Sequence, residues 1–412
     1  MNTISSSQTC PTSPVNDPRM PSPDSFEDQA DPAVWKRRYL VLQDKLNNLV
    51  LIRNTTSTSL LGRGIRKVIF ISGEIKDLVS DSDKHCAYLE DPDDVDLNNE
   101  FEGLNEDEVD DLKRDWERSH KAVQELNCLI PNFQKKIDEG TPEELNKFYA
   151  ELQRGADSAR SDDLNRIRAF VADWLNTAKP HPDVLLNPTC RRNRGIAHDV
   201  TGRLLCPAEF NWDDLLIRAK LRAGDEEFDW LSSYHSRCFY AKYKLDVNQL
   251  ESGYLKSTLL IQVYKAIFTS PSSAKNISEE DDAENMPPAK SRKILFDNKP
   301  VRRNVASKVH LNNKVTPRSI AYAAVQLHFN LQTASSWAQF YEGFDYRGLY
   351  NFVVDVFEDT PGPAAKKRAK DLLNWWSGKI FPMAAARRQS NTSTSRKTFK
   401  QQRAALEREA AA

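Results

Sequence analysis

Five cysteine and histidine side chains within about fifty positions have the chemistry to bind a metal. Cys190, His198 and Cys206 follow one another at steps of eight, and His235 and Cys238 lie three positions apart. A structural zinc ion takes four such ligands in a tetrahedron, usually supplied as two close pairs. Only His235 and Cys238 form a close pair, so we predict no metal site and no cofactor. A zinc site assembled in space from these five residues is the alternative.

Cys206 could also act as a nucleophile, in a hydrolase or thiol enzyme centred on His198 and Cys206. Such a cysteine needs a lowered pKa, which His198 or Arg203 could provide, and an orienting acid such as Asp199. Against this, Pro207 directly follows the thiol and removes one backbone donor from a potential oxyanion hole. Free cysteines are commonly buried as small apolar residues. We therefore predict a protein without catalytic residues, and the thiol enzyme is the alternative.

Basic residues cluster around the same stretch. Clustered lysines and arginines can neutralise the phosphates of a nucleic acid. The residues we predict to contact nucleic acid are Arg191, Arg192, Arg194, Arg203, Arg218, Lys220 and Arg222. No helix-turn-helix, zinc-finger or RNA-binding signature accompanies them, so a solvated surface is the alternative. A second cluster, PPAKSRK at 287–293 together with RRNVASK at 302–308, predicts a nuclear import signal.

The composition limits the classes of protein to which the chain can belong. Its 412 residues are 39% hydrophobic and 28% charged, with a mean hydropathy of -0.64. No apolar run approaches the roughly 18 residues of a membrane span, the six cysteines are scattered, and the N-terminus lacks a secretory pattern. We predict a protein of the nucleus, or otherwise of the cytoplasm, that is neither secreted nor inserted in a membrane.

Apolar residues recur at helical spacing through most of the chain. This pattern predicts an all-α fold: a multi-helix bundle with one small irregular or β-hairpin element, a disordered N-terminal tail and an internal disordered linker. The predicted boundaries are a disordered tail at 1–32, an N-terminal helical region at 33–177 with an acidic loop at 90–105, an irregular Cys/His element with helices at 178–269, a disordered charged linker at 270–313, C-terminal helices at 314–382 and a basic disordered tail at 383–412.

Local signals predict where several elements begin and end. Thr141 and Glu144 match a capping box, followed by a helix that ends near Gly155. Pro317 predicts the first turn of another helix. One continuous helix is predicted over 60–81, and a β-hairpin is predicted to turn at Thr201-Gly202. The aromatic residues between 337 and 376 are interpreted as core rather than as a surface on which bases stack.

Four blocks of the sequence carry a family resemblance. The blocks are RGIAHDVTGRLLCPAEFNWDDLLIRAKLRAG, SGYLKSTLLIQVYKAIFTSPSSA, KVTPRSIAYAAVQLHFNL and DLLNWWSGKIFP. In this order they resemble a large group of uncharacterised proteins of mushroom-forming (basidiomycete) fungi, which share a domain of unknown function. The resemblance covers roughly residues 60–382 and includes a pattern RG-x-x-H-x-x-TG-x-LLCP that contains His198 and Cys206.

The resemblance implies no activity and no catalytic residues. It suggests a nuclear role linked to mobile elements, because such proteins are expanded in genomes rich in those elements. We predict a non-enzymatic nuclear interaction module or nucleic-acid-associated helical module, whose partner is a nucleic acid or a nuclear protein.

Overall fold

The computed structural model describes residues 58–231, 233–275, 304–382 and 395–410. The tail predicted at 1–32, the helix predicted from residue 33 onward and the PPAKSRK cluster at 287–293 lie outside these residues. The described helices are α1 Thr58–Gly62, α2 Ile65–Val68, α3 Ile75–Glu90, α4 Val95–Glu100, α5 Glu106–Leu129, α6 Phe133–Glu139, α7 Pro142–Thr177, α8 Asp199–Leu205, α9 Leu215–Ala223, α10 Thr258–Phe268, α11 Pro271–Ala274, α12 Val305–Lys308, α13 Pro317–Leu331, α14 Tyr346–Glu358, α15 Pro363–Ile380 and α16 Ser395–Ala410. With one small antiparallel pair, β1 Phe340–Tyr341 and β2 Phe344–Asp345, the predicted all-α class is confirmed.

Helix α7 is 36 residues long and begins at the predicted capping box. The Thr141 hydroxyl accepts a hydrogen bond from the Glu144 N–H, and the Glu144 carboxylate accepts one from the Thr141 N–H. The predicted end near Gly155 is wrong, because the helix continues to Thr177. Gly155 is instead a packing residue: a Cβ there would lie 1.9 Å from the carbonyl oxygen of Ser59 in α1. Glycine is needed at Gly155 because any larger side chain would collide with that backbone.

The continuous helix predicted over 60–81 is also wrong. The chain leaves helical geometry between α2 and α3, where Gly73 adopts a φ of +90°. Two carbonyls of this break accept hydrogen bonds from buried arginines distant in sequence. The Ile69 oxygen accepts one from Arg318 (2.7 Å), and the Ile71 oxygen accepts one from Arg160 (2.8 Å). These bonds satisfy backbone groups that a helix would otherwise have satisfied locally.

The β-hairpin predicted at Thr201-Gly202 is a helix, α8, and this prediction is wrong too. His198 caps the first turn of α8. Gly202 lies inside the helix rather than at a turn, and a Cβ there would lie 2.4 Å from the ring of Trp212. The glycine is needed for close packing and not for a positive φ. The observed hairpin is the β1–β2 pair, which turns at Gly343 with a φ of +92°.

Helix α13 lies at the centre of the fold. It begins at Pro317 as predicted, with Thr316 as its N-cap, and every residue from Arg318 to Leu331 is buried. Helices α2, α7, α8, α10 and α14 pack around it. A helix that is buried on all sides has no solvent-facing stripe, which explains its nearly continuous apolar sequence. Neither α13 nor any other described helix combines the length and apolar character needed to cross a bilayer.

Short helices occupy parts of three segments that were predicted to lack structure. Helix α4 lies within the predicted acidic loop 90–105, α11 and α12 lie within the predicted linker 270–313, and α16 lies within the predicted tail 383–412. Side-chain caps stabilise the first three, because Asp94, Ser270 and Asn304 each accept a hydrogen bond from a backbone N–H of the first turn. The predictions underestimated helix in these segments because their composition is dominated by polar and charged residues.

Candidate functional site

His198 and Cys206 stand at opposite ends of α8 and do not form a catalytic pair. His198 Nδ1 accepts a hydrogen bond from the Val200 N–H (3.2 Å), and its Nε2 donates to the carbonyl oxygen of Val184 (2.9 Å). Both ring nitrogens are therefore engaged. Cys206 is fully buried, and burial raises the pKa of its thiol to about 11. A buried neutral thiol is a poor nucleophile, so this geometry counts against the thiol enzyme.

The five candidate zinc ligands do not converge on one point. Cys206 lies in a small apolar cluster with Trp212, Leu221 and Trp230. Cys238 belongs to the main core, where burial raises its thiol pKa. Within the ranges that the structure describes, no three histidine, cysteine, aspartate or glutamate side chains are placed to hold a metal ion. This arrangement counts against the alternative of a zinc site formed by these residues.

Two of the seven predicted nucleic-acid-binding residues are structural. Arg191 and Arg194 are only 4% and 1% exposed. The Arg194 guanidinium donates to the carbonyl oxygens of Asn330 (2.6 Å), Arg168 (2.8 Å) and Asn187 (2.9 Å). Arg191 donates to the side chain of Asn330 (3.0 Å) and to two further carbonyls. Because the two guanidinium groups are buried and engaged in these hydrogen bonds, they cannot contact a phosphate.

Most of the remaining basic residues are paired with acids. Arg203 pairs with Asp213. Arg218 and Arg222 both approach Asp199, at 3.7 and 2.6 Å. Lys220 lies 3.3 Å from Glu227 and 3.9 Å from Asp225, and Arg192 is exposed. The predicted positive surface is thus largely neutralised by neighbouring carboxylates.

The RG-x-x-H-x-x-TG-x-LLCP pattern has a structural explanation. Arg194 ties three carbonyls together, Gly195 adopts a φ of +83°, and His198 caps α8. The Thr201 hydroxyl donates to the Gly195 oxygen (2.7 Å). A β-bridge joins Pro207, the last residue of the pattern, to Ser236, and the Ala208 N–H donates to the His235 oxygen (2.9 Å). This bridge carries His235 to the edge of a groove on the C-terminal helices.

An open groove of about 1000 Å³ lies between α14, α15 and the segment 249–256, and we call it the aromatic groove. Its aromatic lining residues are His235, Tyr254, Phe352 and Trp375. The Phe352 ring meets His235 edge-on at 5.4 Å and Tyr254 at 6.1 Å. Much of the lining, including Gln249 to Ser252, is exposed, so the groove is a surface depression rather than an enclosed pocket.

Two helical stripes form the walls of the aromatic groove. Phe352 and Val356 are one turn apart on α14, and Ala365, Leu372 and Trp375 follow one another along a face of α15. Trp376, about 100° further round the helix than Trp375, packs into the core, and its ring lies 5.2 Å from that of Tyr264. The apolar surface of α15 is therefore wider than its contact with the core: Trp376 is buried, whereas Leu372 and Trp375 are only partly buried.

The charges of the aromatic groove are unevenly compensated. The Arg368 guanidinium binds both carboxylate oxygens of Glu251, at 2.6 and 3.1 Å. The Lys256 ammonium lies 5.4 Å from the centroid of the Trp375 ring. Asp359 and Asp371 are exposed and form no ion pair with any described residue. The groove thus combines an aromatic wall with two uncompensated carboxylates.

A second cavity, of about 120 Å³, lies beside the break between α2 and α3. Several of its charged groups are paired: Asp115 pairs with Arg118 (2.9 Å) and Arg347 (3.1 Å), and Arg318 lies 3.5 Å from Glu358. This cavity is small and its ion pairs join distant helices. We interpret it as part of the packing between the N-terminal and C-terminal helices.

The sequence-based predictions missed the aromatic groove. Its aromatic residues had been interpreted as core, which is correct for Tyr346, Tyr350 and Trp376 but not for Trp375 and Phe352, which are only half-buried. One sequence signal was present: Trp375 and Trp376 are adjacent on a helix, where successive side chains point about 100° apart. Two adjacent tryptophans on one helix cannot both point to the centre of the core, so one of them had to lie at its edge.

The fold and the groove together define an all-α protein with an open, aromatic-walled surface groove. Residues 154–381, more than half of the chain, match the model of the family of unknown function DUF6698, and the chain belongs to this family. The match covers fewer residues than the range 60–382 predicted for the family resemblance, and it includes every residue that lines the aromatic groove. No curated protein and no solved structure matches the chain.

Proposed function

We propose that this protein is a helical interaction module that binds an amphipathic, basic segment of a partner protein in the aromatic groove. The observation that carries the proposal is the apolar stripe of α15, where Leu372 and Trp375 are only partly buried against the core and line the groove beside two unpaired carboxylates. Grooves between helices that accept an amphipathic helix combine apolar pockets with charged rims in this way. Aromatic side chains are also typical anchors of protein interfaces.

The open shape of the groove favours a macromolecular segment over a small substrate. Small-molecule sites are concave and bury most of the ligand surface, whereas the floor of this groove is flanked by the exposed residues 249–252. The unpaired Asp359 and Asp371 would attract lysine or arginine side chains beside the apolar anchor. The absence of a paired nucleophile and base at His198 and Cys206 further favours binding over catalysis.

A peptide selection tests the proposal. Random 16-residue peptides displayed on phage are selected against the full chain, and bound sequences are remeasured by fluorescence anisotropy. We expect selected peptides to combine aromatic or leucine anchors with basic residues. The change Trp375→Ala should weaken their binding at least tenfold, because it removes the aromatic anchor of the groove.

Two matched variants serve as controls. Phe340→Ala removes an aromatic ring that is 62% exposed and outside the groove, and it should leave binding unchanged. The double change Asp359→Asn and Asp371→Asn should weaken binding and reduce its salt dependence, whereas Asp110→Asn with Asp173→Asn, at exposed sites elsewhere, should not. Selected peptides whose affinity is indifferent to Trp375→Ala would refute the proposal.

Association with nucleic acid, a nuclear location and a fungal, mobile-element context stay predictions from the sequence. The compensated charges around Arg203, Arg218, Lys220 and Arg222 make nucleic acid the weaker partner hypothesis. If these residues nevertheless neutralise phosphates, the affinity for duplex DNA must fall steeply with salt. DNA binding that is absent, or flat between 50 and about 200 mM salt, would exclude that role.

A further inference from the structure

We propose that helix α16 of the same chain docks in the aromatic groove and competes there with partner proteins. This inference rests on the proposed function, because it names an occupant and a means of regulation for the same groove. It rests on three independent features of the chain: the exposed apolar face of α16, the short connection between α15 and α16, and the complementary charges of helix and groove.

Helix α16 is amphipathic, and its apolar face is uncovered. Every side chain described within it is exposed. Phe399 and Leu406 are each 64% exposed, and they lie seven residues apart, which places them on one face two turns from each other. Large apolar side chains so exposed and aligned commonly mark an interaction surface. The helix therefore has the features that the groove is proposed to accept.

The connection between α15 and α16 allows this docking within one chain. Trp375 lies five residues before the end of α15 at Ile380, and twelve residues, 383–394, separate Pro382 from Ser395. Twelve residues span up to about 40 Å when extended. The tail thus starts beside the groove with enough length to return to it. At this chain length, tethering gives a segment an effective concentration of about millimolar.

The charges of α16 complement those of the groove. Residues 395–410 contain five basic and two acidic side chains. The groove presents the unpaired Asp359 and Asp371, while its own basic residues are engaged with Glu251 and Trp375. The apolar pair Phe399 and Leu406 can therefore meet the aromatic wall while basic neighbours meet the two carboxylates. These exposed pairs are screened by salt, so docking should weaken as ionic strength rises.

The test uses a synthetic peptide of residues 395–410 and two forms of the full chain. One form is the wild type, and the other carries Phe399→Asp and Leu406→Asp, which change exposed side chains and leave the core intact. We expect the peptide to bind the double variant, whose own tail is released. Binding to the wild type should be at least tenfold weaker, because the tethered helix occupies the groove. Adding Trp375→Ala to the double variant should abolish peptide binding.

A photo-cross-linker locates the docked helix directly. Placed at Phe399, it should form cross-links to the groove within one chain, whereas at Gln401, on the opposite face, it should not. Cross-links between two chains would overturn the assignment and show that a second copy is the occupant. If the peptide binds neither form while selected library peptides bind both equally, the tail proposal fails and the groove function stands. If no peptide of either kind binds, both proposals fail.

Discussion

Buried polar side chains in this protein act as ties between backbone segments or as parts of ring stacks. Arg194 binds three carbonyls that belong to different elements. His328, at the centre of α13, stacks on Phe344 at 4.3 Å and on Phe239 at 6.1 Å. Its Nδ1 lies 3.3 Å from the Tyr346 hydroxyl, and its Nε2 has no hydrogen-bond partner among the described residues. Complete burial lowers the pKa of His328 to about 3.

This burial predicts a loss of stability in mild acid. The unfolded chain binds a proton at His328 below its ordinary pKa of about 6.5, while the folded chain stays neutral there until about pH 3. The contribution of His328 to the free energy of unfolding is therefore fully present above about pH 6.5. It is lost as the pH falls below that value, by up to about 1.4 kcal/mol per pH unit. In His328→Phe, urea unfolding measured at pH 7 and pH 4.5 should show a smaller difference than in the wild type, by about 2 kcal/mol.

The surface variant His181→Phe controls for the general effect of removing a histidine, and it should unfold with the pH dependence of the wild type. An equal loss of stability in His328→Phe and the wild type would mean that His328 is not held neutral. Other titrating groups contribute to acid unfolding in all three proteins, so the comparison is made between variants at each pH.

The packing of α1 against α7 depends on two glycines, each of which faces the backbone of the other helix. A Cβ on Gly155 of α7 would lie 1.9 Å from the Ser59 oxygen, and one on Gly62 of α1 would lie 2.2 Å from the Leu152 oxygen. The two helices therefore approach so closely that neither position has room for a methyl group. A glycine inside a helix costs roughly 1 kcal/mol relative to alanine, and here that cost is offset by the packing it allows.

The matched pair Gly155→Ala and Gly378→Ala tests this interpretation. Gly378 lies in helix α15, and no atom lies within 4 Å of the place where its Cβ would be. We expect Gly378→Ala to raise the free energy of unfolding by up to about 1 kcal/mol. Gly155→Ala should lower it by about 1–3 kcal/mol, because α1 must move away from α7. Equal stabilisation in both variants, measured by urea unfolding, would contradict close helix packing at Gly155.

Elements whose signals are local could be predicted from the sequence. The capping box at Thr141 and the proline at Pro317 marked two helix starts, because a cap is made within one turn. The end of α7 could not be predicted, since the same residue type, Gly155, stops helices and packs them. The break after α2 depends on Arg318 and Arg160, which are distant in sequence. The aromatic groove was missed for the same reason, because α14, α15 and residues 249–256 meet only in the folded chain.

At the scale of the whole molecule, the family segment is not structurally self-contained. It begins at residue 154, inside α7, so the first twelve residues of that helix lie outside it. Buried polar groups of the segment find partners in the preceding helices. Asp163 pairs with Lys67, Arg318 donates to the Ile69 oxygen, and Asp355 pairs with Arg118 at 2.6 Å. Without the preceding helices, these groups would lose hydrogen bonds and ion pairs that offset the cost of their burial.

We therefore expect a fragment of residues 154–381 to lack cooperative unfolding, and a fragment of residues 58–382 to retain it. Thermal unfolding followed by circular dichroism, together with binding of a hydrophobic dye, distinguishes the two outcomes. The shorter fragment should bind dye and melt broadly, as a collapsed chain without fixed packing does. A sharp transition of 154–381 with native helix content would show that the N-terminal helices are dispensable for the fold.

The central position of α13 also determines the order in which the chain can fold during synthesis. Four of the helices that pack around α13 precede it in the sequence and are synthesised before it: α2, α7, α8 and α10. Translation proceeds at about 5–20 residues per second, so these helices wait from several seconds for α10 to tens of seconds for α2 with their inward apolar faces uncovered. In this protein the shell is synthesised before the core, and the nascent chain should need chaperone protection until residue 331 has left the ribosome.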